Sequence, residues 1–179
     1  MGLDITAISG IVTKATDPIA YEFHSLLDEE NDTFHVNLDF PQHSAEFGVT
    51  SGAVEFIKSN DADEFNFSVG PYSTYNKLRN LICLAIHDIK VESVWDNAGK
   101  YSNAALWDLL NFSDCEGVID SVTSARILKD LIDNRTDFIN YIKKDTDIGE
   151  MDVIHYTELY DNFIKCFTLG ADGGVVIYG

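Results

Sequence analysis

The chain has 179 residues, 45% of them hydrophobic and 12% aromatic, which is the composition of a folded domain and excludes a disordered tail. Acids outnumber bases 30 to 12, for a formal net charge of −18. That balance excludes a non-specific grip on nucleic acid, which needs clustered Lys and Arg, and disfavours anionic membrane surfaces.

Leu3, Ile5 and Ala7 alternate with Asp4 and Thr6, which predicts a strand with one polar face. Tyr21 to Leu27 and Phe34 to Phe40 alternate as well, with turn residues Asp28 to Asp32 between them. This predicts a hairpin with a long acidic loop, ended by Pro41. Ala53 to Lys58 reads as strand or short helix, and Glu64 to Val69 as strand. The pattern changes after Gly70-Pro71. Leu78, Leu81, Ile82, Ala85, Ile86 and Ile89 recur at three and four, predicting an amphipathic helix with Ser73 as its N-cap.

Residues 90 to 103 read as a loop, Ala104 to Leu110 as a short helix, and Val122 to Ile142 as a helix broken near Asn134. After a turn at Asp145 to Glu150 comes a helix over Val153 to Leu169, closed by Gly170. Asp172-Gly173-Gly174 then turns into a last strand, Val175 to Tyr178. Strands, then helices, then one strand predict a single α+β domain over residues 1–179. Its sheet is mainly antiparallel, drawn from the N-terminal half and the C-terminal strand, and packed on three to four helices.

Cys83, Cys115 and Cys166 are far apart and form no CxxC pair, so neither a zinc ribbon nor a disulfide framework is expected, and a reducing cytoplasm suits them. His24, His35, His43, His87 and His155 show no HxH, HxxxH or HExxH spacing. No metal and no cofactor is expected, and no Walker, GxSxG or Rossmann signature is present. No basic segment followed by an apolar stretch opens the chain, and no apolar run approaches the ~20 residues that span a bilayer.

The segment from Gly70 to Arg79 carries the strongest functional signal. At about 100° per residue, Tyr72, Tyr75, Asn76 and Arg79 share one helix stripe beside the apolar face. Ser73 adds a hydroxyl, and the helix N-terminus adds unpaired N–H groups and a positive dipole end. Arg79 offers a planar fork for phosphate or carboxylate, and the tyrosines offer stacking. The competing reading is a capped helix whose tyrosines pack and whose arginine pairs with one of many acids.

The second signal is Ser113-Asp114-Cys115-Glu116. Ser113 and Glu116 fit a capping box, which gives both a structural reason. The functional reading makes Asp114 and Glu116 hydrogen-bond acceptors, metal ligands or general bases. Cys115 is a poor nucleophile candidate, because its acidic neighbours oppose a thiolate.

Three fragments occur in order: Met1-Gly2-Leu3-Asp4-Ile5-Thr6-Ala7, then Tyr72-Ser73 with Tyr75-Asn76 and Arg79, then Phe112-Ser113-Asp114-Cys115-Glu116-Gly117. A tail with Ala171-Asp172-Gly173-Gly174 follows. Together they resemble an uncharacterised family of small phage and prophage proteins, with Leu78 where that family has Trp before the arginine. The resemblance implies a counter-defence protein acting in the host cytoplasm. Sequestration of an anionic, nucleotide-like immune signal by Tyr72, Ser73, Tyr75, Asn76, Arg79, Asp114 and Glu116 comes first. Acidic mimicry of DNA, blocking a host defence protein that binds nucleic acid, is the second. A nucleotide-degrading enzyme using Asp114 and Glu116 is the third. No direct contact with nucleic acid or membrane is expected, no catalytic residue is assigned, and self-association is left open.

Overall fold

The computed structural model describes residues 2–15, 32–35, 53–59, 61–112 and 117–179. Its centre is a four-stranded antiparallel sheet in the order β5-β1-β7-β6. The strands are β1 (Gly2–Ile8), β5 (Glu64–Pro71), β6 (Gly117–Ile119) and β7 (Val175–Tyr178). The C-terminal strand therefore pairs inside the main sheet, with Ile5 opposite Tyr178 and Ile8 opposite Val175. Its other edge pairs with β6, with Gly117 opposite Tyr178 and Ile119 opposite Val176.

A second antiparallel sheet has the order β2-β4-β3, from β2 (Ile11–Ala15), β3 (Asp32–His35) and β4 (Ala53–Lys58). Ala53 to Lys58 is thus strand. Phe34 and His35 pair with Val54 and Ala53 of β4. The strand expected at Tyr21 to Leu27, and the hairpin it would form, lie outside the described residues.

Strand alternation sets the two faces of the main sheet. Leu3, Ile5 and Ala7 point inward with Val69, Ile119, Val176 and Tyr178. Three long helices cover this face: α1 (Tyr72–His87), α5 (Ser121–Lys144) and α6 (Glu150–Ala171). They bring Tyr75, Leu78, Ile82, Ile127, Phe138, Tyr160, Phe163 and Phe167 into the same core. The opposite face holds a smaller cluster of Ile8, Val118 and Val175.

The passage from β5 into α1 is abrupt. Leu3 pairs with Gly70 but Asp4 with Ser68, a bulge that leaves Val69 as the extra residue. Gly70 has φ +90°, a conformation open to glycine. The helix starts at Tyr72 with Pro71 in the N-cap position and no side-chain cap. Ser73 is therefore not the N-cap: the strand runs up to Pro71, so the helix begins earlier, and Ser73 sits exposed in its first turn.

Residues 90–103, expected as loop, hold two single turns, α2 (Val91–Trp95) and α3 (Ala98–Tyr101). Buried Val91 and Val94 anchor the first of them. The helix expected at Ala104 is shorter and starts at Trp107, as α4 (Trp107–Leu110).

α5 is unbroken at Asn134, whose amide donates to the Asp130 carbonyl one turn back at 2.8 Å and so stays within the helix. α6 does not stop at Gly170 either. It reaches Ala171, and Gly170 is there for space: a Cβ would lie 2.6 Å from Val176 Cγ2 and 2.8 Å from Ser124 Oγ. The small residue lets α6 pass close to both β7 and α5. α5 and α6 form an antiparallel pair held by Phe138 stacked on Tyr160 at 4.5 Å. Arg135 donates to both Asp161 carboxylate oxygens at 2.7 Å across the same pair.

Candidate functional site

Arg79 is 5% exposed, rare for an arginine, so its environment must satisfy the charge. One terminal nitrogen donates to the Phe112 carbonyl at 2.8 Å and reaches the Leu110 carbonyl at 3.5 Å. The other donates to Asn76 Oδ1, one turn earlier on α1. The guanidinium lies 4.5 Å from the Tyr75 ring centroid and 5.0 Å from that of Trp95. Trp95 Nε1–H donates to the Leu110 carbonyl at 2.9 Å. Helix α1, the turn α2 and the chain leaving α4 are thus tied together around one buried cation.

The predicted stripe divides on folding. Tyr75 is fully buried. Its ring stacks on Phe163 at 5.8 Å and lies 6.1 Å from Tyr178. Its hydroxyl donates to the Leu109 carbonyl at 3.4 Å. Tyr75 is therefore a core residue, with no open ring face for a base. Burial, with the Tyr75 hydroxyl beside it, pushes the Tyr178 phenol well above its usual range. Asn76 is half-buried and holds the guanidinium; Tyr72 is half-buried against the core margin; Ser73 faces solvent.

Asp114 and Glu116 lie outside the described residues. Their flanks do not: Phe112 is buried and supplies its carbonyl to Arg79, and Gly117 opens β6. Arg79 and Asn76 therefore stand where the chain enters segment 113–116.

Trp95 is the residue that sequence reasoning missed. Leu78 enters the core, 1% exposed, and Trp95 contributes an aromatic plane beside the guanidinium. The only signal was a tryptophan inside a stretch without periodicity, and a side chain that large rarely goes unused.

Backbone hydrogen bonds assemble a second feature at one end of the main sheet. Ser9 N donates to the Asp63 carbonyl and Ser9 Oγ accepts from Asp63 N, both at 2.9 Å. Gly10 N donates to the Asp172 carbonyl at 3.1 Å. The turn before β5 and the end of α6, remote in sequence, so meet at one rim. Asp61, Asp63, Glu64 and Asp172 are all exposed there.

Burial pushes the Cys83 thiol up to about 12, with Glu92 adding and Arg79 opposing, and burial raises Cys166 as well. Both thiols are protonated at pH 8, where the thiolate is the reactive form. Alkylation of the folded protein at pH 8 is expected to leave the Cys83 and Cys166 peptides unmodified in a mass-spectrometric map, and denaturant to expose both. Labelling of either before unfolding would show that the core opens.

Among the described residues, no group of three or more His, Cys, Asp or Glu side chains could hold a metal ion, and no helix is long and apolar enough to cross a membrane. No family model, no curated protein and no solved structure matches the chain.

Proposed function

We propose that this chain is a binding protein whose partner presents a basic surface, the kind found on host proteins that bind nucleic acid, and that the rim of Asp61, Asp63, Glu64 and Asp172 belongs to the contact. The observation that carries this reading is a division of charge. The buried cation of α1 is turned inward onto backbone carbonyls, while acids from two distant segments stand exposed at one rim. A net charge of −18 speeds encounter with a basic partner, and clustered carboxylates set its orientation. The resemblance to phage proteins fits a host nucleic-acid-binding protein as target.

The test retains host proteins on the immobilised chain and on the variant Asp61→Asn, Asp63→Asn, Glu64→Gln, Asp172→Asn. The proposal expects the parent to hold a nucleic-acid-binding protein that short duplex DNA displaces and that the variant loses. A retained set of the same composition on both, unaffected by DNA, would overturn it.

A second reading, sequestration of an anionic nucleotide-like signal, has one observation in its favour. Asn76 and Arg79 lie at the start of the segment carrying Asp114 and Glu116. Native mass spectrometry against a panel of cyclic and linear nucleotides separates the two. A stoichiometric nucleotide complex puts sequestration ahead of basic-partner binding.

A further inference from the structure

A cleft of about 510 Å³ opens between the C-terminal halves of α1 and α5. Ala85 of α1 forms one wall, and Asp137, Asn140, Tyr141 and Lys144 of α5 line it with Asp145, the C-cap of that helix. The volume falls within the range of small-molecule sites. Residues 137, 140, 141 and 144 follow helical spacing, so they share one stripe of α5. Eight residues of helix set Asp137 and Asp145 ~12 Å apart along the axis.

That separation decides the ligand's shape. A single metal ion needs its oxygen ligands within roughly 2.6 Å, so these two carboxylates cannot share one. They can hold the two ends of an elongated cation. Between them the cleft offers the methyl of Ala85, the ring of half-buried Tyr141 and the amide of Asn140. Two helices also end here. α1 is capped by Asp88 in the left-handed conformation, φ 54°, three residues beyond Ala85, and α5 by Asp145 itself, so the negative dipole ends of both helices lie close to the lining residues. Burial, then the charges of Asp145 and Asp88, raises the pKa of the Tyr141 phenol. Lys144 is the one like charge among the described residues that line the cleft. It is exposed, and a lysine there keeps its ammonium in water while its stem lines the wall.

We propose that this cleft binds a linear organic polyamine of triamine length. The terminal ammonium groups bond to Asp137 and Asp145, the methylene chain lies against Ala85 and the Tyr141 ring, and Asn140 Oδ1 accepts from the inner amine. The proposal is independent of the basic-partner reading, because the acidic rim at the end of the main sheet contributes nothing to it.

Titration calorimetry with spermidine at ~0.15 M salt, where long-range attraction is screened, tests it. The expected result is one site per chain. Asp137→Asn with Asp145→Asn weakens binding by about tenfold or more, a loss of about 1.4 kcal/mol. Ala85→Leu, which fills the cleft without changing the charge, also weakens it. Lys144→Gln strengthens it, and the short diamine putrescine, unable to bridge the aspartates, binds more weakly. Asp61→Asn with Asp63→Asn, equal in charge change but outside the cleft, leaves it unaltered. Equal loss in the two aspartate pairs would mean that spermidine merely condenses on an acidic protein, and would overturn the site. Unchanged affinity in Ala85→Leu, or no saturable heat from the parent, would do the same.

Discussion

Removing residues 174–179 is expected to abolish cooperative unfolding. β7 lies inside the main sheet, so its loss strips β1 of one ladder and β6 of its pairing with Val176, Ile177 and Tyr178. Val175 and Val176 are fully buried and Tyr178 is 2% exposed. At about 1.5–3 kcal/mol for each buried apolar side chain, these three account for roughly 5–9 kcal/mol. A domain's whole stability is about 5–15 kcal/mol, so the remainder cannot hold the sheet together. Tyr178 also touches Phe112, with ring centroids 4.8 Å apart, so the loss reaches the Arg79 cluster. The milder change Tyr178→Ala is expected to cost about 3–5 kcal/mol. Circular dichroism melts check both, and a truncated chain that melts like the parent would show that β7 is dispensable.

The elements legible in the sequence are those with a sustained period. β1 and β5 alternate cleanly, and α1, α5 and α6 repeat at three and four over many turns, so their existence follows from burial alone. The α+β class and the return of Val175 to Tyr178 to the sheet follow from their order. What was not legible depends on contacts between distant segments. α2 and α3 are single turns, too short to show a period, and the buried side chains of Val91 and Val94 hold the first in place. β3 pairs with β4 across some twenty residues, a register that no local pattern announces. Gly170 reads as a helix stop, because glycine often is one, but its reason is the closeness of Val176 and Ser124.

The candidate site shows the same limit. The helical stripe correctly joins Asn76 to Arg79. It does not say whether a residue at the margin of the apolar face turns outward to a ligand or inward to the fold, and Tyr75 and Arg79 turned inward. That choice is made by Trp95 and by the carbonyls of Leu110 and Phe112, which come from sixteen to thirty-three positions further along. A wheel drawn for one helix contains none of them.

Arg79→Ala is expected to destabilise the protein by about 3–5 kcal/mol. The Phe112 carbonyl loses its charge-assisted donor, a hydrogen bond to a charged group being worth about 1.5–3 kcal/mol, while the Leu110 carbonyl keeps Trp95 Nε1–H, and the contacts to Tyr75 and Trp95 are lost besides. At about 2–4 °C per kcal/mol for a chain of this length, the melting temperature should fall by roughly 10 °C. Arg79→Lys should not restore it, because an ammonium cannot reproduce a planar fork that serves Asn76 and Phe112 at once. Arg79→Met tests the balance of terms. It keeps much of the stem volume and removes the cost of burying a charge, but still takes the guanidinium donors away from the Phe112 carbonyl and Asn76 Oδ1, so it should recover only the packing share. Melts of the three variants followed by far-UV circular dichroism give the answer, and an alanine variant within ~2 °C of the parent would mean that the cage carries little stability. The result also bears on function. If the arginine chiefly holds α1 against the chain leaving α4, its removal frees the chain at Leu110 and Phe112 from α1 and lowers stability while leaving the acidic rim chemically intact. If it chiefly holds an anion, its removal erases a nucleotide complex while the fold persists. Measured together, melting temperature and nucleotide binding assign Arg79 to one role or the other.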